Sequence, residues 1–151
     1  MSNEVTTIFS EDAFQAPANF CKTSARARSV RIIITSLTFQ YLLVAHARIF
    51  NGIVYASGQI PLNTSGKIVG DTIEEQTEQV LKNHLAILKA AGSSPERILR
   101  INVYLVNTED YNGFSTTYNQ MIPDPKPPRG CIFVKALPAG ARVEMDLVAA
   151  T

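Results

Sequence analysis

The chain is poor in the residues that build metal sites, disulfides and membrane spans. Its 151 residues include two cysteines, Cys21 and Cys131, and two histidines, His46 and His84. Two distant cysteines form neither a ligand spacing nor a disulfide framework, so a reducing compartment fits and no metal is expected. The histidines lack the HxxxH or HxH spacing of a metal site. Residues 32–45 are the longest apolar run, only 14 residues, and Thr35, Ser36, Thr38 and Gln40 interrupt it. That is too short and too polar to cross a membrane. Glu4, Glu11 and Asp12 break up the first dozen residues, which argues against a secretory signal. Net charge is +1, so no global field favours nucleic acid or a membrane surface. No basic cluster lies outside residues 22–31, and no aromatic–basic interleaving suits single-strand binding.

What is present fits one ordinary globular domain, residues 1–151, with 46% hydrophobic residues to fill a core. Residues 5–9 read as a strand. Residues 49–59 read as another, with a turn signal at Asn51-Gly52 and the run Ile53, Val54, Tyr55, Ala56 suggesting burial on both faces. Asp71 and Glu74 form a capping box that predicts a helix start. Ile73, Thr77, Val80, Leu81, Leu85 and Leu88 then make one apolar stripe, stopped by Gly92. Glu78 and Lys82 are a favourable i,i+4 pair on the solvated side. Ser94-Pro95-Glu96-Arg97 predicts a short turn, and residues 98–106 a strand with Ile101, Val103 and Leu105 on one face. Thr108 is expected to cap a second helix, in which Tyr111, Phe114 and Tyr118 read as core packing.

Two apolar runs flank Leu137-Pro138-Ala139-Gly140 and read as a closing hairpin, with Arg129 and Cys131 opening one run and Glu144 inside the other. Arginine's rigid donor fork matches a carboxylate, and a glutamate at the same end of the hairpin could orient a water. On spacing alone, the same two residues also fit solvated strand-end charges. The element order predicts an α+β domain with both helices on one face of a mixed sheet. The other face then needs cover, which oligomerisation would supply.

Four segments occur in order: Ser57-Gly58-Gln59-Ile60-Pro61, Ala90-Ala91-Gly92-Ser93-Ser94, Pro128-Arg129-Gly130-Cys131, and Leu137-Pro138-Ala139-Gly140 with Val143-Glu144-Met145. Together they resemble the Rid/YjgF family of reactive-intermediate deaminases, over about residues 46–150 and more weakly over 5–24. The resemblance implies a chorismate-mutase-like α+β fold and a homotrimer with sites in the clefts between subunits. It also implies hydrolysis of 2-iminoalkanoates and enamines, such as 2-iminobutanoate and 2-aminoacrylate, to 2-oxo acids and ammonia without a cofactor. By position, Arg129 would grip the substrate carboxylate, Glu144 would position the attacking water, and Cys131 would lend its backbone. Ser57 and Gly58 would line the pocket. No histidine partner for Cys131 is identifiable, which disfavours a nucleophilic role. Two substrate-binding positions depart from the family pattern. Its tyrosine falls at Thr23 or Val44, and its asparagine on the second helix falls at Ser115, which bears on rate and substrate choice.

The 21 residues 25–45 fall inside a family motif. They carry Arg26, Arg28 and Arg31 and no acid, and without them the formal charge would drop from +1 to about −2. A retained intron, a genuine insertion and an internal targeting signal all remain open, the first favoured by a whole number of codons. A cytoplasmic or mitochondrial setting is expected. The rival readings are an RNA-acting translation inhibitor with ribonuclease activity, and a non-catalytic ligand-binding or chaperone-like trimer.

Overall fold

The structure, a computed structural model, describes residues 5–8, 10, 12, 31–33 and 45–151, with the backbone alone at 31–33. Its strands are β1 (Thr6–Ile8), β2 (Arg31–Ile33), β3 (Ala47–Phe50), β4 (Ile53–Gln59), β5 (Ile98–Leu105), β6 (Arg129–Phe133) and β7 (Val143–Ala150). Two helices, α1 (Ile73–Ala90) and α2 (Tyr111–Met121), follow β4 and β5 respectively. The strands form one mixed sheet in the order β2-β1-β3-β4-β7-β5-β6. This is the expected α+β architecture, with both helices on one face. Most of the 25–45 segment, with Thr23 and Val44, lies outside the described residues. Of that segment the structure describes β2, which pairs parallel with β1, and Ala45.

The buried side of the sheet is built by simple alternation. Val143, Met145, Leu147 and Ala149 of β7 and Ile101, Val103 and Leu105 of β5 turn inward, and their sequence neighbours turn outward. From α1, Val80, Leu81, Ile87 and Leu88 close over them, and from α2, Phe114 and Tyr118. Each such side chain contributes roughly 1.5–3 kcal/mol on burial, so this layer dominates the stability. The predicted α1 stripe is buried except for Leu85, which is half-buried, while Ile87 and His84 fill the layer instead. The Glu78–Lys82 pair forms at 2.7 Å.

Several expectations shift once the chain is folded. The predicted strand at 49–59 is instead a hairpin, β3 and β4, joined at Asn51 and Gly52, both at positive φ. That is the turn conformation the Asn-Gly pair favours. β4 is not buried on both faces of the single chain: Val54 and Ala56 are buried, but Tyr55 is 51% exposed. Helices cover only one side. The α1 cap sits one residue later than read, at Thr72, whose Oγ1 accepts from the Glu75 amide while Glu75 Oε2 accepts from the Thr72 amide. Both Asp71 and Thr72 suit a cap, and the choice rests on backbone direction rather than residue type. Thr108 opens a short 3-10 turn (Thr108–Asp110), and Asp110, not Thr108, occupies the position before α2, its carboxylate engaged by Asn107 and Arg142 and making no capping bond.

The largest correction concerns the closing hairpin. β6 and β7 are not neighbours, because β5 lies between them. β6 pairs parallel with β5 after the α2 crossover, whereas β7 pairs antiparallel with β5 and β4. A nine-residue connection, 134–142, is long enough to step over one strand, so adjacency in sequence did not become adjacency in the sheet.

Candidate functional site

Arg129 opens β6 opposite Ile101, so its side chain falls on the helix-covered face. Tyr111, Phe114 and Tyr118 recur along α2 at steps of three and four, which places them on one helix face. The Arg129 guanidinium lies over all three rings, 4.5 Å from the Tyr118 centroid, 5.1 Å from Phe114 and 6.0 Å from Tyr111. Such cation–π contacts are worth about 0.5–2 kcal/mol each, and they orient the fork without neutralising it. Nη2 donates to the Tyr111 hydroxyl at 3.3 Å. The expectation of Tyr111 as core is therefore corrected: it is 40% exposed and braces the arginine.

Three polar atoms around this stack are buried and have no hydrogen-bond partner among the described residues: Arg129 Nη1, Tyr118 Oη and Ser115 Oγ. Ser115 lies four residues after Tyr111 and three before Tyr118, so it shares their side of α2. Buried polar groups are almost always satisfied, and a cluster of donors without acceptors is the signature of an anion or polar ligand site. Cys131, two residues along β6, is half-buried. Burial pushes its thiol up, with Arg129 only partly opposing this, so it is a poor nucleophile at neutral pH. Its backbone is better placed. Ile101 N–H donates to Pro128 O and Val134 N–H donates to Leu105 O, which sets the phase of the β5–β6 ladder. In that phase the even residues of β6 bond to β5, and the N–H of Cys131 points out from the open edge.

Glu144 lies on the opposite face. It stands across from Tyr104 on β7, and its carboxylate presses against Gly58, where an added Cβ would lie 2.2 Å from Glu144 Oε1. Only glycine allows that approach. Gly58 belongs to an irregularity in the β4–β7 pairing, between Ala56 and Gln59. Gln59 Nε2 holds it by donating to the carbonyls of Ser57 and Gly58 at 3.2 and 3.0 Å. Ser57 Oγ donates to Ala45 O at 2.7 Å, so its hydroxyl proton is already engaged. Burial holds the Glu144 carboxyl above the usual carboxylate range, and the nearby charge of Asp146 adds to the effect.

Within one chain, then, the candidate residues form two groups. Ser115 and Cys131 gather with Arg129, while Ser57 and Gly58 gather with Glu144. The two groups lie on opposite faces, two strands and three residues of register apart, roughly 14 Å by ordinary strand spacing and rise. Thr23 lies outside the described residues. Sequence reading missed Tyr118 as a polar neighbour of Arg129, because its spacing is equally that of a core residue. It also missed a clamp between the groups. Arg142 grips buried Asp110 with Nη2 on Oδ1 and Nε on Oδ2, the latter at 3.0 Å, and Nη1 donates to Asp71 O at 3.1 Å. This ties the start of α2 to the start of β7 and to the entrance of α1.

His84, buried beneath β7, has its Nε2 2.8 Å from Met145 O, so Nε2 carries the proton and donates. Burial pulls it down to about 4, with the Met145 carbonyl and Asp146 only partly opposing. It is neutral at pH 7 and faces away from Glu144. Among the described residues no group of three metal-ligating side chains is found, and no helix is long and apolar enough to cross a membrane.

A half-buried arginine thus stands on one face of the α+β sheet and a carboxyl of raised proton affinity on the other. The sequence model described as Endoribonuclease L-PSP matches residues 41–151, and the chain belongs to this Rid/YjgF/L-PSP family. It is 36% identical over 100 residues to the chloroplastic Reactive Intermediate Deaminase A of Arabidopsis thaliana, covering 66% of this chain and 54% of that protein. It is 38% identical over 102 residues to the mitochondrial protein mmf1 of Schizosaccharomyces pombe, covering 66% of this chain and 62% of that one. The chain thus matches somewhat over half the length of these relatives. The crystal structure of RidA from the Antarctic bacterium Psychrobacter sp. PAMC 21119 has a TM-score of 0.75 and 25% identity, over 96% of this chain and 98% of that one.

Proposed function

We propose that this chain hydrolyses short 2-imino acids and their enamine tautomers to 2-oxo acids and ammonia. It does so as a homotrimer in which the Arg129 group of one subunit faces the Glu144 group of its neighbour. The observation that carries the reading is the unspent donor set at Arg129 Nη1, Tyr118 Oη and Ser115 Oγ, held beside three aromatic rings. A carboxylate supplies the acceptors these donors lack. The separation of Glu144 onto the other face supports an intersubunit site, since one chain alone cannot close the two groups on one small molecule.

The chemistry needs little more. An imine carbon is already electrophilic, so catalysis is orientation plus proton transfer. Arg129 holds the carboxylate and the outward N–H of Cys131 holds the nitrogen or the water. Glu144, its proton affinity raised by burial, takes a proton from the attacking water as the C–O bond forms. Glu144 passes that proton to the nitrogen, giving a carbinolamine. The carbinolamine hydroxyl then yields its own proton, by way of Glu144, to the nitrogen, so that the C–N bond breaks, ammonia leaves and the C=O of the 2-oxo acid forms. A cytoplasmic or mitochondrial setting suits this role, the latter supported by the name of the fission-yeast relative.

The test generates 2-aminoacrylate or 2-iminobutanoate with a dehydratase and traps it with semicarbazide. The wild-type chain is expected to suppress trapping. Arg129→Ala, with its oligomeric state checked by light scattering, is expected to lose about 10²-fold of that activity, the scale of a charge-assisted hydrogen bond. A wild type that gives no protection overturns the deaminase and leaves a ligand-binding protein. The family's description supplies RNA cleavage as a second reading, and salt-sensitive cleavage that survives Arg129→Ala would establish it instead.

A further inference from the structure

Beside Glu144 on the open face is a second carboxylate. Asp146 follows two residues later on β7, so both side chains leave the same side of the sheet at about 6–7 Å along the strand. Both Asp146 oxygens are engaged by neutral donors: Asn102 Nδ2 reaches Oδ1 at 2.8 Å and Tyr104 Oη reaches Oδ2 at 3.0 Å. Tyr104 stands directly across from Glu144, yet its hydroxyl serves Asp146. Asn102 is itself braced from behind, its Oδ1 accepting from Arg100 Nε at 3.1 Å.

The charged and titratable groups on this face can be followed strand by strand. β7 supplies Glu144 and Asp146, β5 supplies Arg100 and Tyr104, β4 supplies Tyr55, and β3 supplies Arg48, in register with Tyr55. β6 places Gly130 and Ile132 there, neither of them charged. Arg100 contacts Asn102, not Asp146, and among the described residues no cation is paired with either acid. The two carboxyls are therefore unequal. Asp146 receives two donors that favour its ionised form, whereas Glu144 lies against the bare Gly58 backbone and receives none of the side-chain hydrogen bonds on this face. When two acids share a site, the better-solvated one ionises first and its charge holds the proton on the other.

We propose that Asp146, fixed by Asn102 and Tyr104, is a positioning residue for the reaction: a carboxylate held beside Glu144 whose charge sets the pH range over which Glu144 gives and takes a proton. This rests on the reading of Glu144 as the base of the proposed deaminase. It deepens that reading, because hydrolysis of an imine needs one carboxyl to accept a proton and then return it. An acid with the ordinary carboxylate affinity would accept readily from solvent only at low pH and return the proton too easily. Asp146 moves the balance toward neutrality without touching the substrate. The raised proton affinity of Glu144 has burial as its larger cause and Asp146 as its second, in line with the geometry.

The experiment is a ¹³C-carboxyl NMR titration of the full chain, wild type against Asp146→Asn, paired with the pH profile of imine-trapping protection. Asp146→Asn is expected to move the Glu144 midpoint to lower pH and to carry the acid limb of kcat/KM in the same direction. A purely structural role would lower stability and leave the Glu144 midpoint in place, and an unmoved midpoint overturns the proposal even if activity falls. Should Asp146→Asn fail to fold, Tyr104→Phe keeps the charge and removes one of its donors. With that support weakened, the Glu144 midpoint is expected to move, and a Glu144 midpoint that stays in place overturns the proposal. The titration does not require turnover. A shifted midpoint in an inactive protein supports the coupling while overturning the deaminase, and an unshifted midpoint in an active one overturns the coupling alone.

Discussion

The two faces of this sheet treat charge in opposite ways. On the helix-covered face, Arg129 lies among the rings of Tyr111, Phe114 and Tyr118, where no carboxylate of the described residues meets it. On the open face, Glu144 is pushed toward its neutral form beside Asp146, with no cation paired to it among the described residues. A guanidinium cannot discharge by losing a proton in this range, so it must be stabilised where it stands, and flat aromatic faces do so without using its donors. A carboxyl can discharge, and burial makes it do so. One face therefore stores binding capacity and the other stores proton affinity. The Arg142–Asp110 clamp ties the helix that shapes the first group to the strand that carries the second.

The largest expected effect breaks the open-face group. Glu144→Gln keeps the shape beside Gly58 and removes the proton acceptor, so kcat is expected to fall by about 10²–10⁴-fold with KM little changed. Steady-state kinetics in the trapping assay check this, and a mainly KM effect would mean that Glu144 binds substrate instead of moving protons.

A smaller effect probes His84 on the covered face, a group that, unlike Arg129, can discharge when buried. His84 is pulled down to about 4 from 6.5, so the unfolded chain binds the proton more readily than the fold does. Its contribution to stability is complete above pH 6.5 and is lost as pH falls from there toward 4, amounting to about 3 kcal/mol at most. Denaturant titrations at a series of pH values should show that slope in the wild type and a much flatter one in His84→Gln.

The smallest effect sharpens the Arg129 group itself. Cys131→Ser leaves the outward backbone N–H in place and removes a thiol that burial keeps protonated, so activity is expected to change by no more than about threefold. Loss of all activity, with the protein still folded, would make the thiol a reacting group.

Local pattern carried much of this. Strands β5 and β7 announce themselves by alternation, and α1 by its stripe and its glycine stop at Gly92, because each depends on residues a few positions apart. The capping residue was misread by one position because Asp71 and Thr72 are chemically interchangeable there, and only the backbone at Thr72 chose between them. Tyr111, Phe114 and Tyr118 have the spacing of a core stripe, and nothing local distinguishes a ring that packs on leucine from one that packs on arginine. Asp146 was invisible as a partner of Glu144 for a related reason. Its meaning comes from Asn102 and Tyr104, more than forty residues away.

By itself the sequence determined most of the elements, the apolar faces of the helices, the family and the identity of the residues worth testing. These follow from short-range periodicity and from motifs whose chemistry is local. Only the tertiary structure decided that β5 stands between β6 and β7. That placement turned a supposed hairpin site into an arginine group and a glutamate group on opposite faces. Strand order is set by which long-range pairings bury the most apolar surface under the helices, and no segment of the chain carries that information alone.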